Sequence, residues 1–165
     1  MAVVNTKSTS ITNVDAGDLN PDYQTRGPLR ESIATLEAVA ADSVGSTYRF
    51  SRVWSGWRVA DVILDSDDIG TTGAADFGLY RTAGDGGAVV DADFFASAVV
   101  LNGGALANTN ITHESGVVDL PNYGKRLWEQ LGLSADPGLW YDVAATLTGI
   151  ADAGGTITLR VRSAE

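Results

Sequence analysis

The sequence offers few side chains that could carry out catalysis. Its one histidine, His113, stands beside Glu114, and the chain has no cysteine. Nucleophilic catalysis needs a nucleophile, a base and a group that orients the base. A single histidine in a polar segment, with no second histidine or cysteine to join it, is typical of a solvated side chain. A Gly-x-Ser-x-Gly motif is also absent. We therefore expect no catalytic residue and no enzymatic activity.

One acidic segment resembles the start of a calcium loop. Residues 65–70 read Asp-Ser-Asp-Asp-Ile-Gly, with a glycine at the sixth position and Asp76 at the twelfth. The fifth position is Ile69, which supplies no ligand, and no long helix is predicted on either side. Zinc needs clusters of cysteine or histidine, which one histidine cannot provide. We expect an exposed loop, with no metal and no cofactor.

Paired carboxylates could hydrolyse glycosidic bonds if two of them lay at working distance. The spacing along the chain brings no particular pair together, so a glycosidase or lyase remains an alternative. The available side chains are Asp65, Asp67, Asp76, Asp91, Asp93 and Glu114.

Four tryptophans offer a second binding chemistry, because large aromatic side chains anchor cores, interfaces and carbohydrate platforms. The interpretation that we favour places Trp128 and Trp140 in the core. Trp54 and Trp57 would then cover a sheet edge or an interface. A sugar-stacking platform is the alternative.

Charge and hydropathy exclude several classes of partner. The chain has 165 residues and a net charge of −10, so phosphate backbones repel it and nucleic acid is not an expected partner. No apolar run approaches the roughly 20 residues of a membrane span, and the first residues lack the pattern of a signal peptide. We expect synthesis in a cytoplasm and no membrane partner.

Residues 1–30 differ in composition from the rest of the chain. They are polar, and Pro21 and the pair Gly27-Pro28 interrupt any regular element. We predict an extended N-terminal arm that is either a loose tail or a segment that orders on a partner. Its isolated apolar residues, which are the candidate contacts, are Val3, Val4, Ile11, Val14, Leu19 and Tyr23.

Residues 31–165 are predicted to form one domain, a mainly β antiparallel sandwich of jelly-roll type with one or two short helices. Strands are predicted at 47–53, 58–64 and 75–81. The clearest pattern is in the last third, where apolar residues alternate with polar ones from Tyr141 to Thr148 and from Thr156 to Arg162. A period of two is the mark of a half-buried antiparallel strand.

Three segments are predicted to be helical. Leu29, Ile33 and Leu36 follow helical spacing, although Ile33, Thr35 and Val39 also alternate as on a strand. The local pattern favours a helix at 31–41. A helical turn is predicted at 91–99, with Phe94 and Phe95 facing inward, and a short helix at 122–131.

Several segments together form a familiar pattern, namely residues 46–53, 57–62, 75–80, 86–97 and 154–161. This pattern resembles the small head proteins of tailed bacteriophages, of the decoration or cement type. The resemblance covers about two-thirds of the chain, and its motifs are structural, not chemical.

The resemblance implies a jelly-roll-like sandwich, no catalysis, and strand at 31–41 in place of helix. It also implies a structural protein of the virion that binds the capsid exterior, with the major capsid protein as partner and a trimer as the common assembly. In that interpretation the arm residues are capsid contacts. The alternatives are a carbohydrate-binding module of a fibre or a secreted enzyme and, less favoured, a tail or connector protein.

Overall fold

A computed structural model describes residues 7, 9–18 and 28–165 of the chain. It contains eight strands, which confirm the predicted sandwich. They are β1 (Leu29–Ala38), β2 (Thr47–Trp54), β3 (Arg58–Ser66), β4 (Ala74–Arg81), β5 (Val89–Val100), β6 (Leu106–Asn110), β7 (Trp140–Leu147) and β8 (Gly155–Ala164). The helices among the described residues are α1 (Thr9–Ala16) and α2 (Leu127–Gln130), with 3-10 turns at Ala83–Asp85 and Leu120–Asn122.

The strands form two four-stranded sheets in the order of a jelly roll. The first sheet runs β1-β8-β3-β6 and the second runs β2-β7-β4-β5. The first strand therefore pairs with the last, β2 with β7, β3 with β6 and β4 with β5, all antiparallel. This nested pairing is a long hairpin wrapped over itself, which gives the two stacked sheets of the jelly roll.

The core lies between the sheets, where the alternating residues of the last two strands meet. Side chains that face inward from β7 are Tyr141, Val143, Ala145 and Leu147, and those from β8 are Ile157, Leu159 and Val161. Each of these is almost fully buried. The alternation predicted from the sequence is confirmed in both strands.

β1 is a strand, so the local prediction of a helix at 31–41 is wrong and the strand implied by the resemblance is confirmed. It pairs with β8 without interruption from Leu29 to Ala38. It begins inside residues 1–30, the range predicted for the arm. Part of that range is also helical, because Thr9–Ala16 forms α1 where we predicted extended chain. Gly17 follows α1 with a φ of 79°, the left-handed conformation that commonly ends a helix.

The predicted helical turn at 91–99 is also wrong, because these residues belong to β5. The pairing of β5 with β4 shifts register between Phe77 and Leu79, which is a β-bulge. Phe94 and Phe95 are consecutive and both fully buried. Because two adjacent residues both face inward, the alternation of buried and exposed residues is broken. The sequence pattern therefore does not predict a strand here.

At 122–131 the helix is shorter than predicted. It contains only Leu127–Gln130, and Arg126 is the residue that caps it. The Glu129 carboxylate accepts the backbone N–H of Arg126 at 2.7 Å. Among the described residues, no helix has the length and apolar character needed to cross a membrane.

The sandwich has two distinct ends. The loops that follow β1, β3, β5 and β7 meet at one end, which we call the loop end. There the backbone N–H of Ala41 donates to the carbonyl of Ala151 at 2.7 Å, and the N–H of Ile69 donates to that of Leu101 at 3.0 Å. The β2–β3 turn and the long β6–β7 connection meet at the opposite end, where the N–H of Ser55 donates to the carbonyl of Leu139 at 2.9 Å.

Candidate interaction surface

Three tryptophans cluster at the end opposite the loop end. The pairing of β2 with β7 places Trp54 directly across from Trp140, with ring centroids 5.2 Å apart and planes at 64°. Trp57, which follows the tight turn after β2, lies 5.2 Å from Trp140 at 87°. Both contacts are edge to face, the arrangement that aromatic rings prefer. We call this end of the molecule the tryptophan end.

The first strand begins beside this cluster. The guanidinium of Arg30 lies over the ring of Trp57, 5.2 Å from its centroid, in a cation–π contact. Arg30 also pairs with the carboxylate of Glu165. The preceding residue, Leu29, is 62% exposed. β1 therefore begins at the tryptophan end.

A buried serine holds this end together. Ser55 is fully buried, and its hydroxyl donates to Oδ1 of Asp136 at 2.5 Å while it accepts the N–H of Leu139 at 3.1 Å. The Ser55 hydroxyl and then the N–H of Gly138 lower the pKa of Asp136 below its usual range. These bonds fasten the β6–β7 connection against the turn that carries Trp57. The tryptophans are therefore positioned by main-chain and side-chain bonds together.

The turn also requires a glycine. A Cβ on Gly56 would lie 2.8 Å from Oδ2 of Asp136 and 3.2 Å from the ring of Trp54. The absence of a side chain at this residue allows the carboxylate and the indole to approach the turn from both sides.

Trp140 is 42% exposed, so its predicted place in the core is wrong. It is the first residue of β7, on the face of the second sheet opposite the core residue Tyr141. Trp54, Trp57 and Trp128 are half-buried. Leu120 and Leu133, both exposed, lie in the β6–β7 connection. A cluster of tryptophans beside an arginine has the composition of a protein-binding hot spot.

The same geometry argues against a carbohydrate platform. A sugar ring stacks on an open, flat aromatic face. In this cluster the edge-to-face contacts turn the face of one ring toward the edge of its neighbour. Trp57 is also covered by Arg30 on one face. The cluster therefore lacks the flat, open arrangement that a sugar-stacking platform needs.

The candidate contacts of the arm fall partly outside the structure. Val3, Val4, Leu19 and Tyr23 lie outside the described residues. Ile11 and Val14 belong to α1, and Ile11 is exposed. The role of all six as contacts stays a prediction.

His113 and Glu114 do not form a catalytic pair in this structure. The Nδ1 of His113 lies 2.5 Å from the carbonyl oxygen of Val118, and its ring lies 4.9 Å from that of Tyr123. The Glu114 carboxylate accepts the backbone N–H of Ser97, in β5, at 2.6 Å. Both side chains have structural partners that explain their positions.

The carboxylates of the calcium-like segment are also occupied by structural bonds. Asp65 accepts from Nη2 of Arg160 at 3.0 Å, Asp67 accepts the N–H of Thr156 at 3.0 Å, and Asp68 accepts that of Gly70 at 2.9 Å. Asp76 accepts the N–H of Ala98 at 2.6 Å. Within the ranges that the structure describes, no three histidine, cysteine or acidic side chains are grouped to hold a metal ion.

Among the carboxylates considered for glycoside hydrolysis, Asp91 and Asp93 interact directly. Burial, followed by the hydrogen bond that the protonated Asp91 carboxyl donates to Asp93 and by the charge of Asp93, raises the pKa of Asp91. The pair lies on β5, an edge strand of the second sheet. It is apart from the 490 Å³ depression at the loop end that Asp68, Gly70, Thr71, Asn102, Gly103 and Ala153 line.

The jelly-roll fold is similar to that of chains in two solved phage structures. A chain of the cyanophage Pam1 capsid asymmetric unit matches with a TM-score of 0.50 and 15% identity, over 84% of this chain and 85% of that one. A chain of the capsid of Ralstonia phage GP4 matches with a TM-score of 0.48 and 14% identity, over 82% and 84%. At such identities the likeness concerns the fold. No protein-family model matches the sequence, and no curated protein does.

Proposed function

We propose that this chain is a non-enzymatic structural protein of a phage virion. In this proposal it binds the outer surface of the capsid and stabilises it by bridging capsid subunits, with the major capsid protein as its partner. The observation that carries the proposal is the likeness of its fold to a chain of the Pam1 capsid asymmetric unit, over 84% of one chain and 85% of the other.

The tryptophan end supports the proposal because it combines two means of attachment. Residues 1–30, the proposed arm, lead into β1 beside Arg30 and Trp57. Trp140 is exposed at the same end. An arm and a rigid aromatic surface that bind two neighbouring subunits raise each other's effective concentration, so the pair binds far more tightly than either part. The arm contacts would be Val3, Val4, Ile11, Val14, Leu19 and Tyr23.

The chemistry of the chain supports a protein partner and a passive role. The net charge of −10 disfavours contact with packaged nucleic acid. His113 and most of the carboxylates considered for catalysis have structural hydrogen-bond partners. This role requires that the chain is synthesised in the host cytoplasm and then binds to the exterior of the capsid.

A capsid-binding experiment tests the proposal. The full chain, a variant lacking residues 1–25 and the variant Trp140→Ala would be sedimented with capsids of the phage whose genome encodes the chain. We expect saturable binding of the full chain, no binding of the truncated one, and a loss of about tenfold or more for Trp140→Ala, the usual effect of removing an interface tryptophan. Ile150→Ala, which alters an exposed side chain at the loop end, is the matched control and should bind normally.

Failure of the full chain to bind such capsids would refute the proposal. Binding by the truncated variant would remove the arm from it, and normal binding by Trp140→Ala would remove the tryptophan end. Labelling of intact virions with a membrane-impermeant amine reagent tests the exterior position. The resemblance implies a trimer, and the number of copies stays a prediction that sedimentation measures.

A further inference from the structure

The free edge of β1 differs from the other three sheet edges. β2 carries a register shift between Arg49 and Ser51, and β5 carries several. β6 is short, and its pairing with β3 shifts between Leu64 and Ser66. β1 keeps one register with β8 over its whole length. Proteins normally protect sheet edges with bulges or short strands, so a long regular edge is a template for another strand.

Among the described residues, no strand pairs with the outer edge of β1. In the part of the chain that the structure describes, the backbone hydrogen bonds outside the strand ladders leave Leu29–Ala38 untouched. On the outer face of β1, Leu29 and Ile33 are each 62% exposed. Glu31, Thr35 and Glu37 lie on the same face, because alternate residues of a strand point the same way.

We propose that β1 pairs with β1 of a second copy of this chain, antiparallel and about a two-fold axis at Ile33. The occupant is another copy because the strand is complementary to itself in this register. Ile33 then lies opposite Ile33 of the second copy, Glu31 opposite Thr35, and Leu29 opposite Glu37. Each carboxylate faces a neutral side chain, and two exposed isoleucines cover each other.

Charge excludes the neighbouring registers of similar length. An axis at Ala34 places Glu31 opposite Glu37, and an axis at Glu31 places two copies of that residue opposite each other. Like charges directly opposite across a strand pair destabilise it. Axes at Ser32 or Thr35 avoid this contact but shorten the overlap. The axis at Ile33 gives the longest pairing with no like charges opposed.

Two side chains on the outer face of β1 are held by hydrogen bonds to β8 of the same copy. Nε of Arg162 donates to Oε1 of Glu31 at 2.8 Å, and the hydroxyls of Thr35 and Thr158 lie 2.9 Å apart. The pairing would join two four-stranded sheets into one continuous sheet. An isologous contact of this kind closes at two copies, so it predicts a dimer in place of the trimer that the resemblance implies.

Cysteine cross-linking tests the register directly, because the chain has no cysteine of its own. Residues directly opposite in an antiparallel pair have Cα atoms about 4.5–5.5 Å apart, within the range of a disulfide. We expect oxidation to link Ile33→Cys into a covalent dimer. Glu37→Cys, exposed on the same face of the same strand, is the control, since its two copies would lie about 26 Å apart at roughly 3.3 Å per residue. Equal linking of both variants, or none of Ile33→Cys, overturns the proposal.

Sedimentation of the unmodified chain gives a second test. Over a concentration series we expect a species of twice the chain mass of 17.2 kDa, and only single chains for Ile33→Lys, which opposes two ammonium groups at the axis. A chain that stays single throughout, or a trimer that Ile33→Lys leaves intact, overturns the proposal. Capsid binding is measured separately. If folded Ile33→Lys binds capsids, the proposed function is retained. If the chain forms the dimer but binds no capsids, the proposed function is refuted and the dimer is not.

Discussion

On the outer face of the second sheet, Arg49 and Asp142 form an ion pair that is largely withdrawn from water. Nη1 of Arg49 lies 2.9 Å from Oδ2 of Asp142, and Nε of Arg52 lies 2.8 Å from Oδ1. Asp142 is only 6% exposed, although it points away from the core. Arg49 also donates to the carbonyls of Arg81 and Gly87, each at 2.7 Å. One arginine thus connects β2, β7 and the β4–β5 turn.

Replacing Asp142 by asparagine should destabilise the protein. The change leaves Arg49 half-buried without its counter-charge, and we expect a loss of about 1–3 kcal/mol in the free energy of unfolding. Urea denaturation measures it. Asp85→Asn removes the partner of Arg81 in an exposed pair at 3.1 Å and should cost less than about 0.5 kcal/mol. Equal losses in the two variants would contradict the role given to burial.

Gly78 should not tolerate a side chain. A Cβ at this position would lie 2.1 Å from the carbonyl oxygen of Asp91 and 2.4 Å from the carbonyl carbon of Ala92. These are backbone atoms of β5 and cannot rotate away. We expect Gly78→Ala to cost about 3 kcal/mol or more, or to prevent folding. Gly84→Ala is the control, because nothing lies within 4 Å of its Cβ. Thermal denaturation followed by circular dichroism compares the two, and a native-like midpoint for Gly78→Ala would be inconsistent with this close approach.

Ile69 is a core residue in a loop that resembles a calcium site. It is fully buried, whereas Ile150 at the same end of the sandwich is 47% exposed. We expect Ile69→Ala to lower the free energy of unfolding by about 2–5 kcal/mol, the cost of a cavity in a core. Ile150→Ala should change it by less than about 1 kcal/mol. Guanidinium denaturation of both variants measures the difference, and similar losses would show that the loop does not anchor the core.

The acidic pair on β5 should make stability depend on pH. Burial, and after it Asp93, raises the pKa of Asp91 above the ordinary value of 3.8. A group with a raised pKa in the folded state contributes stability that is present below its unfolded pKa and lost as pH rises through the folded pKa. Asp91→Asn removes this loss of stability. As pH rises from below 3.8 toward neutrality, we therefore expect the melting temperature of the variant to increase relative to that of the unmodified chain.

Asp152 provides a control of opposite sign. The hydroxyl and then the N–H of Thr71 lower its pKa, so its contribution is present above the unfolded pKa and lost as pH falls through the folded one. Asp152→Asn should therefore be the less stable variant at neutral pH, and this difference should fade in acid. Melting curves across the pH range separate the two variants, and parallel profiles would contradict both assignments.

The strands that the sequence predicts correctly are those in which all residues of the buried face are apolar. In β7 and β8 every inward residue from Tyr141 to Val161 is apolar, so the period of two is visible. The local prediction for β1 is wrong because β1 is an edge strand. Its Ile33 is apolar but faces outward, and the spacing of Leu29, Ile33 and Leu36 is that of a helix. The prediction for β5 is wrong because a bulge turns both Phe94 and Phe95 toward the core. Neither exposure at an edge nor a bulge can be read from residue types alone.

The tryptophan end was predicted only in part. The pair Trp54 and Trp57 was placed at an edge or interface, and both are half-buried in the cluster there. Trp140 was missed because it begins a strand whose next residue is core, and an aromatic residue beside a buried strand normally belongs to the core. The roles of Arg30 and of the bond between Ser55 and Asp136 depend on contacts between residues far apart in the chain. No local pattern indicates such contacts.

The pairing of the first strand with the last has a consequence for how the molecule is made. Arg30 and Glu165, which bond across this pair, are 135 positions apart. On the ribosome, β1 is synthesised early and has no partner until β8 emerges. Domains dominated by such distant pairings fold over milliseconds to seconds, with their edges open in the meantime. The rate at which this domain folds is therefore expected to depend on the emergence of β8, the ten residues Gly155–Ala164.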